Sequence, residues 1–254
     1  MNLYSPLEQF EIFPLFSINF GFFYFSITNQ TVILFVTFLV TFVLFYSVLK
    51  PFNNSLFIIP TRWQQIFEFL YTFILSIVLN NIRGDRSQNY FPLVFFIFVF
   101  LSSINLIGLV PYTFTVTSQF IVTFCLSLTV FIGINIVCIR TSKLEFFSLF
   151  LPSGTSFFLS FLLVPIEMVL YFFRPFSLAI RLFCNMTVGH ILLKLAVGLV
   201  WSIMNVPGFL FFFHYLPLIV LFFLLTLELG IAIIQAFVFS LLICLYLDDV
   251  INMH

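Results

Sequence analysis

The chain has 254 residues, of which 63% are hydrophobic and 7% are charged, whereas soluble domains average about 45–50% and about 25%. Nine basic residues balance nine acidic ones, so the chain lacks both a basic field that would attract nucleic acid and an acidic excess that would keep a tail disordered. Its apolar runs are long enough for about five membrane crossings with short connections, which predicts one all-α polytopic membrane domain over residues 1–254.

The predicted elements begin after an N-terminal segment, residues 1–30, that contains no Lys or Arg. Residues 31–49 are expected to form the first span. Residues 62–80 place apolar side chains at helical spacing with polar ones interleaved, which favours an amphipathic helix in the membrane interface over a span. The remaining predicted helices are two spans, 91–110 and 117–139, and two long apolar stretches, 156–203 and 208–250.

Basic residues outside the spans predict the orientation of the chain. With 62–80 kept in the interface, all six of them fall on one side, and the connections 111–116 and 204–209 on the other side contain none. The six are Lys50, Arg62, Arg83, Arg86, Arg140 and Lys143. The positive side is the inner side, so we expect the C-terminus inside and the N-terminus outside. The 43 Phe residues suggest the AT-rich codons of an organellar genome, for which inside is the matrix.

The two long stretches carry charged side chains at positions that lipid would otherwise surround. An ionised group at mid-bilayer costs about 2.5–3.5 kcal/mol on insertion scales, so such residues are functional candidates. They are Glu167, Arg174, Arg181, Lys194 and Glu228. A structural ion pair or a snorkelling side chain remains an alternative for Arg174 and Lys194. Arg181 has long apolar sequence on both sides and is the strongest candidate.

Helical periodicity gathers several of the polar residues on shared faces. At about 100° per residue, four of them lie within about 40° of Arg181, whereas His190 faces about 180° away. The four are Glu167, Arg174, Ser177 and Asn185. In the second stretch, Gln235 lies within about 20° and Asp249 within about 60° of the face of Glu228.

The turn signal Asn205-Val-Pro-Gly208 would fold the two stretches into a helical hairpin, which sorts these residues by depth. His190 and Glu228 fall on the side of the turn, and Glu167 and Asp249 fall towards the other side. Arg181 lies between the two groups. Imidazole and carboxyl groups can exchange protons near pH 7, but a guanidinium stays charged. The pattern therefore predicts a proton intake site, a barrier and a proton exit site.

Two further features point to a partner chain. Three basic residues, Arg174, Arg181 and Lys194, stand against two acidic ones, Glu167 and Glu228, which leaves one cation for a carboxylate elsewhere if His190 is neutral. The long stretches also exceed the about 20 residues that span a membrane, so strong tilt along a partner is expected.

The segment SLAIRLFCNM, Ser177–Met186, followed by Gly189-His190, resembles the signature of subunit a of the rotary ATP synthases. That subunit is the stator component that passes protons to the rotor ring. The segments LLVPIEMVLYFFRPFSL, NLIGLVPYTFTVTS and IIQAFVFSLLICLYLDDVINMH also fit patterns of the family. Cys184 and Thr187-Val188 depart from its commoner residues.

The resemblance implies a role for each candidate residue. Arg181 would be the essential arginine, facing a rotor carboxylate and separating two half-channels. His190 and Glu228 would line the half-channel open to the intermembrane space, and Glu167 and Asp249 the one open to the matrix. The supporting polar residues would be Asn185, Gln235, Ser177 and Arg174.

The resemblance also implies the setting of the chain. Its partners would be the ring of c subunits, other membrane stator and peripheral-stalk subunits, membrane lipids and the transported proton, with no nucleic acid, metal or cofactor. Without a Gly-rich phosphate loop, the chain would not be catalytic alone. The pairing of His190 with Glu228 is similar to mitochondrial members, which indicates the mitochondrial inner membrane.

Two alternatives remain open. A membrane subunit of another respiratory complex with haem or copper would need several His ligands, and the three here, His190, His214 and His254, have no paired helical spacing. An independent channel or secondary transporter would be expected to show internal inverted repeats, and none is visible.

Overall fold

The computed structural model describes residues 7–21, 23–49, 62–82, 87–110, 113–142, 157–204 and 215–251. The turn signal at 205–208 lies outside the described residues. Within these ranges six α-helices follow a two-stranded hairpin. They are α1 Asn29–Leu49, α2 Arg62–Asn81, α3 Ser87–Gly108, α4 Phe120–Ser142, α5 Phe157–Met204 and α6 Tyr215–Ile251. The hairpin consists of β1 Pro14–Phe20 and β2 Phe23–Thr28.

Five of the described helices are long and apolar enough to cross a membrane, and α2 is the exception. This confirms the predicted fold class, an all-α polytopic membrane protein. In α2 only one stripe is buried, formed by Ile74, Ile77 and Val78, so the helix is amphipathic in its packing as well as in its sequence.

The hairpin is an element that the sequence did not predict. Its strands are antiparallel, and the Asn29 side chain joins it to the start of α1. Asn29 accepts a hydrogen bond from the Phe13 amide at 3.3 Å and donates one to the Glu11 carbonyl at 3.2 Å. Gln119, just before α4, donates to the Phe10 carbonyl at 2.7 Å. The N-terminal segment is thus fastened to the connection between α3 and α4.

Helix α6 is the centre of the bundle. It packs against α2, α3, α4 and α5, most extensively against α3. Its inner face contains Ala236, Ile243 and Cys244, all completely buried. Many of the other apolar side chains point outward, as expected where the surroundings are lipid rather than water.

Helix α5 lies along α4 and α6 as one continuous element of 48 residues, with Pro165 and Pro175 inside it. At about 1.5 Å per residue it is about 72 Å long, against about 30 Å of hydrocarbon in a bilayer. A helix of that length must tilt strongly or extend beyond the membrane. Arg181 lies near its middle.

Candidate functional site

Arg181 is exposed on α5 beside residues that belong to the buried core. Its neighbours Leu178, Ala179 and Leu182 are buried, and Leu178 and Leu182 belong to the main core, whereas Arg181 is exposed. Ser177, one turn earlier, is exposed on the same side. Among the described residues no carboxylate lies within 4.0 Å of the Arg181 guanidinium. A charge displayed in this way is available to a group outside the chain.

Asn185 and Gln235, the predicted supporting residues, lie on the two long helices. Both are partly buried, Asn185 on α5 and Gln235 on α6. In the part of the chain that the structure describes, neither side chain hydrogen-bonds to Arg181. Their proximity to Arg181 stays a prediction.

His190 and Glu228 come together between α5 and α6. The distance from His190 Nε2 to Glu228 Oε1 is 3.7 Å, and their side chains are only 15% and 5% exposed. Neither atom, nor Glu228 Oε2, has a hydrogen-bond partner among the described residues, and the same holds for the buried Thr187 hydroxyl. Buried polar groups without protein partners are the usual hosts of ordered water. The site therefore combines an acid, a base and unmet hydrogen-bonding capacity.

Gly189 allows Glu228 to approach α5 closely. A Cβ atom built at this position would lie 2.8 Å from Glu228 Oε1, which is shorter than a non-bonded contact tolerates. The glycine therefore gives the carboxylate its place beside His190.

Further along the same two helices, in the first half of α5 and near the end of α6, Arg174 meets Asp249. Arg174 Nη1 lies 3.3 Å from Asp249 Oδ2, with the two side chains 33% and 51% exposed. The guanidinium also lies over the rings of Tyr171 and Tyr246, 5.3 and 4.7 Å from their centroids. The Tyr171 hydroxyl donates a hydrogen bond to Asn135 of α4.

This ion pair corrects the charge count made from the sequence. That count set Arg174 against Glu167 and Glu228 and omitted Asp249, which lies next to the end of α6. Asp249 of the same chain therefore pairs with Arg174, and that count no longer leaves a surplus cation. The argument for an external carboxylate now rests on the exposure of Arg181 alone.

The comparison with known proteins decides the family. The model of the ATP synthase A chain family matches residues 31–248. The chain belongs to this family. It is 48% identical to ATP synthase subunit a of Pylaiella littoralis over 250 residues, which cover 98% of this chain and 99% of that protein. It is 44% identical to ATP synthase subunit a of Marchantia polymorpha over 252 residues, with 98% and 99% covered.

Membership of the ATP synthase A chain family confirms the resemblance and makes the chain a membrane subunit of an ATP synthase. The sequence reasoning named Gly189 only as part of the signature, and it missed three residues of the second site, namely Tyr171, Tyr246 and Asn135. A signal existed for two of them, since each Tyr lies three residues before one member of the ion pair, on the same helical face. Nothing in the sequence pointed to Asn135.

Proposed function

We propose that this chain is the proton-translocating stator subunit of a rotary ATP synthase in the mitochondrial inner membrane, with its N-terminus in the intermembrane space and its C-terminus in the matrix. A proton enters by His190 and Glu228 and neutralises a carboxylate on the ring of c subunits. The ring carries it through lipid, and it leaves towards the matrix on the side of Glu167 and Asp249. The chain conducts protons, and nucleotide chemistry belongs to other subunits.

The observation that carries this proposal is the exposed Arg181 on the outer face of α5 in a member of the ATP synthase A chain family. A guanidinium remains charged at any accessible pH, so it cannot relay a proton and instead forces an approaching carboxylic acid to ionise. Its fixed charge also separates two aqueous half-channels. Each proton that crosses 100 mV delivers about 2.3 kcal/mol, which the motion of the ring would capture.

One contact and one placement along the helices support the positions of the half-channels. His190 and Glu228 are paired and buried with unmet hydrogen-bonding capacity, as an intake site that holds water requires. Glu167 and the end of α6 at Asp249 lie nearer the opposite ends of α5 and α6. The mitochondrial location rests on the Phe-rich composition and on the residue types at 190 and 228.

Replacing Arg181 with Ala tests the proposal. We expect ATP-driven proton pumping in inner-membrane vesicles to be lost while the complex still assembles on a native gel. Passive proton leak is expected to rise, because nothing then separates the half-channels. The matched control is Arg140→Ala, which removes an exposed arginine from the last turn of α4.

The control variant should pump at the parent rate. If Arg181→Ala pumps as well as the control, the stator function is wrong. Transport by the purified chain alone in liposomes would instead support an independent channel or transporter.

A further inference from the structure

Five side chains from three helices form one connected cluster around Arg174, which we term the arginine clamp. They are Asn135 of α4, Tyr171 and Arg174 of α5, and Tyr246 and Asp249 of α6. Each member touches a member on another helix. The clamp therefore joins α4, the first half of α5 and the end of α6.

Within the clamp Asp249 supplies the counter-charge of Arg174. A guanidinium in a membrane helix is costly unless a carboxylate and suitable surroundings compensate its charge. The 3.3 Å ion pair provides the carboxylate, and the faces of Tyr171 and Tyr246 add cation–π attraction. Removing one member of such a pair leaves the other charge uncompensated, whereas removing both leaves none.

Glu167 is in a different position. It lies seven residues before Arg174, which is two turns or about 10.5 Å along the same face of α5. It is partly exposed, and no cation of the described residues lies within 4.0 Å of its carboxylate. Unlike Asp249, its carboxylate is not committed to a neighbouring charge.

We infer that the two carboxylates of the exit side have different roles: Glu167 exchanges the departing proton, and Asp249 is a fixed counter-ion that positions Arg174 and the end of α6. The inference rests on the proposed function and deepens it. Asp249 acts through Arg174 and is a positioning residue. Glu167 is the group that protons reach.

A double-substitution experiment in the intact complex separates a counter-ion from a proton relay. The variants are Asp249→Asn, Arg174→Gln, the two combined, and Glu167→Gln, with ATP-driven pumping and passive proton conduction measured in vesicles. Each single change in the pair is expected to lower pumping about fivefold. The combined variant is expected to recover at least half of the loss, because no charge is left unpaired.

Glu167→Gln is expected to lower both pumping and passive conduction, and adding Arg174→Gln is expected not to restore them. A combined variant as impaired as Asp249→Asn, or unable to assemble, would overturn the inference. Parent-like pumping by Glu167→Gln would overturn it as well. These failures are distinct from failure of the stator function, which Arg181→Ala reports separately.

Discussion

At the scale of single residues, the absence of a side chain at Gly189 decides where the Glu228 carboxylate lies. A Cβ here would meet Oε1, Cδ and Cγ of Glu228 at 2.8, 3.2 and 3.3 Å, all atoms of one side chain and none of the backbone, so the Glu228 side chain has to rotate away. Alanine also favours a helix over glycine by about 1 kcal/mol. The substitution should therefore displace the carboxylate with little net change in stability.

We predict that Gly189→Ala lowers ATP-driven proton pumping by about tenfold while the complex remains as heat-resistant as the parent, because Glu228 is a proton-transfer group in the proposed function and misplacing such a group by about an ångström is costly. Pumping in vesicles and thermal disassembly on native gels measure the two effects. The matched control is Gly133→Ala in α4, where a Cβ would meet nothing within 4 Å. Equal pumping by the two variants would show that the position of Glu228 is not critical.

The sequence allowed the relative depth of residues in the membrane to be predicted, but it allowed only some of the side-chain contacts to be predicted. Counting from a turn places His190 and Glu228 at similar levels, and the structure has them 3.7 Å apart. The same counting could not reveal the clamp, because the pairing of Tyr171 with Asn135 depends on how α4 rotates against α5. Periodicity describes the face of one helix and does not say which neighbour that face meets.

At the scale of elements, Asn105 connects α3 to α6 from inside the bundle. Its side chain is completely buried, and its Nδ2 donates to the Ala232 carbonyl at 3.2 Å. Ala232 lies one turn after Glu228, so this bond fixes α6 close to the proposed intake site. The contact belongs to the most extensive helix pair of the described bundle.

We predict that Asn105→Ala destabilises the packing of α3 on α6 by about 1–2 kcal/mol, through the lost hydrogen bond and the cavity that remains. The complex should disassemble at a lower temperature than the parent complex. Thr129→Ala is the control, because the Thr129 hydroxyl is exposed and bonds only within its own helix, to the Leu126 carbonyl at 2.8 Å. A variant no less stable than this control would contradict the prediction.

The composition predicted that the main elements are membrane-spanning helices, but it did not predict the β1–β2 hairpin. In lipid, a run of about 20 apolar residues can satisfy all of its backbone hydrogen bonds within itself only as a helix, so five helical crossings could be expected. Residues 16–20 and 25–28, FSINF and FSIT, do alternate apolar and polar side chains as half-buried strands do, but this short signal was not used to predict strands. The contacts of Asn29 and Gln119 with Glu11 and Phe10, just before β1, are ones that no local pattern reveals.

At the scale of the whole molecule, the proposed orientation puts the two ends of α4 on opposite faces of the membrane. Val110, just after α3 in the connection to α4, and Arg140, in the last turn of α4, are both exposed. We predict that Arg140→Cys reacts with a membrane-impermeant maleimide only from the matrix side and Val110→Cys only from the intermembrane space. Labelling of intact mitoplasts and of inverted vesicles, each above the parent background, measures this.

Reaction of both cysteines from one side would refute the five-crossing arrangement. Reaction from opposite sides but in the reverse sense would refute only the assignment of the matrix, since the positive-inside rule sets the sense and the helices set the crossings.

The uninterrupted course of α5 also has a mechanical consequence. In the proposed motor, each passing ring carboxylate pulls sideways on Arg181, near the middle of a 48-residue helix. A long helix that is pulled sideways at its middle bends less when neighbouring elements support it along its length. Helix α5 is supported by α4, α6 and the arginine clamp. Each proline removes one backbone hydrogen bond and is a compliant point, but Pro175 is buried next to the clamp, whereas Pro165 is exposed far from the load. In the proposed motor, α5 would thus be rigid around Arg181, where the force acts, and would bend more easily near Pro165.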